Sequence, residues 1–332
     1  MSILPLNLIR YLIVCRVNAP MVLFHLFPPI EFSLALGTII AESLPTVQAR
    51  PWHNALEPWK KLGGISLLRN KNLKRPPQAT WPVESVLFCY PGKRAYGKGE
   101  LILMELKLIG EYADHAFFLE VILPALEIAS RTIDRSWQQA TSLWGKFDIQ
   151  NIFVARGPNW DTLVDDCTLN LKYVATPSQW SEGLNLDPGS SRIFQDLTWI
   201  TPFDLRCNDS DTPPRYHKKM QPDQVPSLKE ILLSFLARMN SLSIDKHNER
   251  IRFWDILSEE ARTSFEQMIE SASDVPMNHG NFYPVQESQP GCWIGKQTFA
   301  PIPKVILPYL ALASIFHVGV HTHFGCGTFI LE

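Results

Sequence analysis

The stretch Leu310–Leu331, LALASIFHVGVHTHFGCGTFIL, reads as an apolar helix, a turn with glycines at 319, 325 and 327, and a closing apolar strand. Glycine reaches positive φ without steric cost and lets a second backbone approach closely. The backbone N–H groups of such a turn suit the oxygens of a phosphodiester chain. Glycine-rich turns also close many ordinary hairpins, so the turn alone does not decide. The order helix, turn, strand does, provided the preceding sequence supplies the rest of one sheet.

Upstream, Gly291–Phe299 and Asn281 to Glu287 read as strands, and Ser258 to Ser271 as a polar helix. Ser227-Leu228-Lys229-Glu230 is a capping box, a Ser at the cap with Glu three residues on. Behind it Leu228, Ile231, Leu232, Phe235, Leu236 and Met239 form one helical stripe. Thr198 to Cys207 reads as the strand before that helix. The second half is therefore strand, helix, two strands, helix, strand, the ferredoxin-like order. The first half repeats it. Glu31 to Ile40 reads as a strand and Pro51 opens a short helix, which Pro58 kinks and Gly63-Gly64 closes. Glu84 to Tyr90 and Glu100 to Ile109 are strands around a polar turn, Asp114 caps a helix kinked at Pro124, and Lys146 to Val154 is the last strand. The fold class expected is α+β, with two tandem ferredoxin-like (βαββαβ) domains. Residues 1–30 form an N-terminal extension, 31–156 the first domain, 157–195 a turn-rich linker containing a strand-like Cys167 to Val174, and 196–332 the second domain.

Composition agrees with two domains. The chain has 332 residues, 45% of them hydrophobic, and a formal net charge of -2. A near-neutral chain carries no global argument for nucleic acid, so basic surface must be local. Lys60, Lys61, Arg69, Lys71, Lys74 and Arg75 form one such run, and Arg215, His217, Lys218 and Lys219, with Tyr216, another. The six cysteines contain no CxxC pair, which fits reduced thiols in a cytoplasmic protein. The apolar N-terminal stretch is interrupted by Arg10, Arg16, Asn18, Pro20 and His25, so no uncharged run reaches the ~18 residues of a membrane span. No membrane partner is expected.

The tail HVGVHTHFGCGTFIL resembles the terminal glycine-rich loop of the CRISPR precursor-RNA processing endoribonucleases of the RAMP superfamily. TPFDLR followed by SLKEILLSFLARMNSL resembles that family's first strand and first helix of the second domain. GCWIGKQTF resembles its glycine-containing strand, and ELILMELKLIGEYADHAFFLEVILPALE its first-domain strand and second helix. The resemblance runs over residues 31 to 332 and is strongest in the C-terminal half. It implies maturation of CRISPR repeat RNA by metal-independent cleavage, no cofactor, and a product kept in a complex with other CRISPR effector subunits. In one place the tail departs from the family: Val320 and His321 follow the HVG step where a basic residue is common. A non-catalytic subunit of the same double fold that cradles guide RNA is the alternative within this superfamily. An unrelated nucleotide-binding enzyme is the alternative outside it.

Metal-independent RNA cleavage needs a base, an acid for the leaving oxygen and positive charge near the phosphorane. Histidine, with an ordinary pKa of about 6.5, suits the proton transfers, and Lys or Arg the charge. The family places its catalytic histidine on or near the first helix of the first domain, where His53 lies beside Arg50, Lys60 and Lys61. The other reading of His53 is packing at a helix start. His25 is a second, weaker candidate, and His115 reads as structural. His317, His321, His323 and Cys326 offer zinc-ligand chemistry, RNA contact or plain packing. No metal is expected, and RNA contact is assigned to Gly319, His321, His323, Gly325 and Gly327. Lys229 and Arg238 on the capped helix are assigned to the phosphates of a hairpin stem.

Overall fold

The structure is a computed structural model, and it describes residues 6–24, 26–61, 80–90, 93–132, 143–184, 193–205, 225–242, 257–286 and 289–332. The chain divides into two compact units, Met1–Leu184 and Asn185–Glu332.

In the first unit the central strand is β1 (Leu8–Val17), flanked by β5 (Leu101–Ile109) and β6 (Phe147–Arg156), with β3 (Ser85–Cys89) outside β5. All of these pairs are antiparallel. This is the ferredoxin-like sheet, extended beyond β6 by β7 (Asn159–Asp165) and β8 (Thr168–Leu169). A short pair, β2 (Met21–Leu23) with β4 (Ala95–Gly97), stands apart. Residues 8–17, expected in an extension, therefore form the middle of the sheet. Tyr11, Ile13 and Cys15 alternate with Arg10 and Arg16, so the basic residues that interrupt a membrane span lie on one face of this strand.

Glu31 to Ile40, expected as a strand, lies in helix α1 (Pro28–Ser43), which starts with two prolines. An apolar run without period fits a buried helix as well as a buried strand, and here the helix wins because it is buried around its circumference. Its Glu31 is buried, and Oε1 accepts the Leu26 N–H at 2.7 Å. Helix α2 (Thr46–Lys61) follows and packs on α1 through Ala49, Trp52, Leu56 and Trp59. The second crossover begins at Asp114, whose carboxylate accepts the Ala116 N–H, as α3 (His115–Phe117). It passes through a π-helical segment, Phe118–Ile122, into α4 (Leu123–Arg131). Pro124 has no N–H to return to the preceding turn, so the expected kink takes the form of a π-bulge. Tyr11 stacks on Phe118 with ring centroids 3.7 Å apart, joining β1 to this crossover. The strand expected at Cys167 to Val174 is mostly turns after β8.

The second unit has β9 (Asp196–Trp199), α5 (Leu228–Leu242), α6 (Glu259–Ser273), β10 (Met277–Pro284), β11 (Trp293–Phe299), α7 (Leu307–Phe316) and β12 (Phe329–Leu331). Its sheet order, β10-β11-β9-β12, is again antiparallel throughout and ferredoxin-like. Both arms of the capping box form: Glu230 Oε2 accepts the Ser227 N–H at 2.7 Å, and Ser227 Oγ accepts the Glu230 N–H at 3.2 Å. Among the described residues no helix is long and apolar enough to cross a membrane.

On the face of the first sheet away from the helices, Arg10 Nε donates to Glu105 Oε1 at 2.6 Å and the Tyr90 hydroxyl donates to Glu105 Oε2 at 3.3 Å. Lys107 Nζ lies 3.9 Å from the same carboxylate, and the Arg10 guanidinium lies over the Trp160 ring. Burial pushes the Glu105 carboxyl up, but Arg10, Lys107 and the two hydrogen bonds outweigh it and leave its pKa below the ordinary value. A lowered folded pKa contributes stability that is present above the unfolded value of about 4.3 and is lost as pH falls through the folded value. Arg10→Met strands the carboxylate and is expected to cost roughly 3–5 kcal/mol at neutral pH, nearer the lower figure because Lys107 remains. Glu105→Gln in the Arg10→Met background should recover part of that loss, and urea denaturation of both variants between pH 3 and pH 7 measures it.

Candidate functional site

Two places in the chain gather the residues that the sequence singled out. One is the glycine-rich loop of the second unit. Helix α7 ends at Phe316, and the chain then turns through His317 and His321, both at positive φ (61° and 60°), and Gly319, Gly325 and Gly327. Two of these glycines are required by space. A Cβ on Gly319 would stand 2.2 Å from the Asp204 carbonyl oxygen, and one on Gly327 would stand 1.8 Å from the Val318 carbonyl oxygen. The close approaches are accompanied by hydrogen bonds. Val320 N donates to Asp204 O at 2.9 Å, Val318 N to Gly327 O at 3.0 Å, and Gly327 N to Pro202 O at 2.9 Å. The loop is thus sewn to the segment that leaves β9, with buried Asp204 at the seam. The Asp204 carboxylate also accepts from the Cys292 thiol, Sγ to Oδ2 3.2 Å.

The loop has an inner and an outer part. His317 is fully buried, and its Nδ1 lies 3.1 Å from the Cys326 carbonyl oxygen. A carbonyl only accepts, so this nitrogen carries the proton and the ring is a structural clamp. His323, Gly325, Cys326 and Gly327 are also buried. Burial pushes the Cys326 thiol well above its ordinary value, with Cys292 and Asp204 adding to the effect. Gly319, Val320 and His321 are partly exposed and form the accessible edge, with the His321 ring 6.5 Å from Phe324. Among the described residues no three His, Cys, Asp or Glu side chains converge on a metal-sized site.

The second place is the exposed side of α2. Ala49, Trp52, Leu56 and Trp59 turn inward, and Arg50, His53, Glu57, Lys60 and Lys61 are exposed. At 100° per residue these five positions fall within a sector of about 100°, so the helix sets His53 among three cations and one acid. Glu57 Oε1 lies 3.7 Å from Lys61 Nζ, which leaves Arg50 and Lys60 as the cations nearest His53 in helical register. The helix start and the Pro51 position agree with the sequence only in part, because α2 begins earlier, at Thr46. His115 is structural: its Nδ1 lies 3.0 Å from the Tyr11 hydroxyl and its Nε2 3.3 Å from the Tyr173 carbonyl oxygen.

Lys229 is exposed on α5, whereas Arg238 is half-buried with Nε and Nη2 shielded from solvent. Nine residues separate them, half a turn beyond two full turns, so they flank the buried stripe from opposite sides. One stem lying along one side of α5 therefore meets Lys229 or Arg238, not both. Arg215, His217, Lys218 and Lys219 lie outside the described residues, as do His25 and the run Arg69 to Arg75. Asp204 is the residue that sequence reading passed over. Nothing in TPFDLR marks an aspartate whose carbonyl carries a loop more than a hundred positions away.

Residues 197–329 match the family model described as CRISPR-associated endoribonuclease Cas6. Among solved structures, a partial Cas6-RT-Cas1–Cas2 complex is similar with a TM-score of 0.52 at 13% identity, over 99% of this chain and 47% of that one. A Cas6-RT-Cas1–Cas2 complex has the same TM-score and identity over 99% of this chain and 29% of that one. A Cas6 of Thermus thermophilus aligns over 98% of this chain and 99% of its own, with 13% identity and a TM-score of 0.43. The chain thus spans about half, or less, of the chains in the two complexes. No curated protein matches it.

Gly327→Ala and Gly319→Ala test the seam. Each places a Cβ inside a carbonyl oxygen's contact radius at positive φ, and strain of this kind costs on the order of 1–3 kcal/mol before the overlap is counted. Both should lower the thermal midpoint of the second unit, Gly327→Ala more, and amide exchange at Val318 and Val320 should speed up.

Proposed function

We propose that this chain is a Cas6-type endoribonuclease that binds CRISPR repeat RNA and cuts it without a metal ion. The match over residues 197–329 carries this reading, since it runs from the first strand of the second unit to its last and includes the whole glycine-rich loop. In this reaction the ribose 2′-OH attacks the adjacent phosphorus and the bond to the 5′ oxygen breaks. A 2′,3′-cyclic phosphate and a 5′-OH result. One proton leaves the 2′-OH and one is delivered to the departing oxygen, and charge accumulates on the phosphorane between these events.

His53 is assigned to proton transfer, and Arg50 and Lys60 on the same stripe to the phosphorane charge. Lys61 adds a further cation to that stripe. The accessible edge Gly319 to His321 is assigned to the RNA backbone. Lys229 meets stem phosphates, and the basic loop with Arg215, His217, Lys218 and Lys219 adds strand contacts. The inner histidine and glycines of the loop, His323, Gly325 and Gly327, shape that edge from behind. Product retention and assembly with other CRISPR proteins complete the reading.

A second reading, an RNA-holding subunit that does not cut, is favoured by one observation: His53 stands exposed on the surface of α2 and is not enclosed in a buried site. Single-turnover cleavage of a labelled repeat RNA separates the two. Cutting by the wild type with a loss of about 10²–10⁴-fold in His53→Ala is expected. Because His53 is exposed, that variant should keep its thermal midpoint. Tight binding with no cutting by the wild type selects the second reading, and full activity in His53→Ala reassigns the proton transfer.

A further inference from the structure

We draw no further inference here: the strongest candidate, the cavity of about 190 Å³ between α4 and the strands β6 to β8 that Leu123, Glu127, Arg131, Val164 and Cys167 line, carries nothing because nothing in the structure shows what occupies it.

Discussion

The carbonyl oxygen of Asp204 is the point on which the second unit closes. It accepts from Val320, and it occupies the volume that any side chain at Gly319 would need. A second such contact, Gly327 against the Val318 oxygen, draws the loop back on itself. With those two approaches in place, α7 can return its chain to the edge of β9 as β12. The four-stranded order then completes itself. Without them the histidine-bearing loop would have no defined edge to present. The physical requirement is absence of a Cβ, and only glycine meets it at positive φ.

This shifts the meaning of the tail. Read as a string, five positions between Gly319 and Gly327 are equivalent candidates for touching RNA. In the fold, His317 clamps a carbonyl, His323, Gly325 and Gly327 lie inside, and Gly319 to His321 form the outer edge. The loop is a braced turn with one open edge. The helix α2 stripe, with His53 between Arg50 and Lys60, offers the complementary feature, an imidazole among cations.

Much of the second unit was legible because its signals are local. Ser227 and Glu230 satisfy each other's N–H groups, and the stripe from Leu228 to Met239 has one period over the length of α5. The first unit was harder to read, for a physical reason. Helix α1 is buried on every side, so it carries no amphipathic period, and length alone separates it from a strand. β1 was hidden by its own chemistry, because Arg10 and Arg16 alternate with Tyr11, whose ring stacks on Phe118 from the opposite face, and look like interruptions in an apolar run. Asp204 and Tyr90 were not legible at all. The role of each depends on segments distant in sequence, Gly319 for one and Glu105 with Leu103 for the other.

The proposed reaction is cleavage of repeat RNA by internal attack of the ribose hydroxyl. The most direct measurement is the chemistry of the cut ends, by mass spectrometry of repeat RNA cleaved in excess EDTA. Internal attack gives fragments ending in a 2′,3′-cyclic phosphate together with partners that begin with a 5′-OH. Fragments with a 3′-OH and a 5′-phosphate, or cleavage that stops in EDTA, would contradict it.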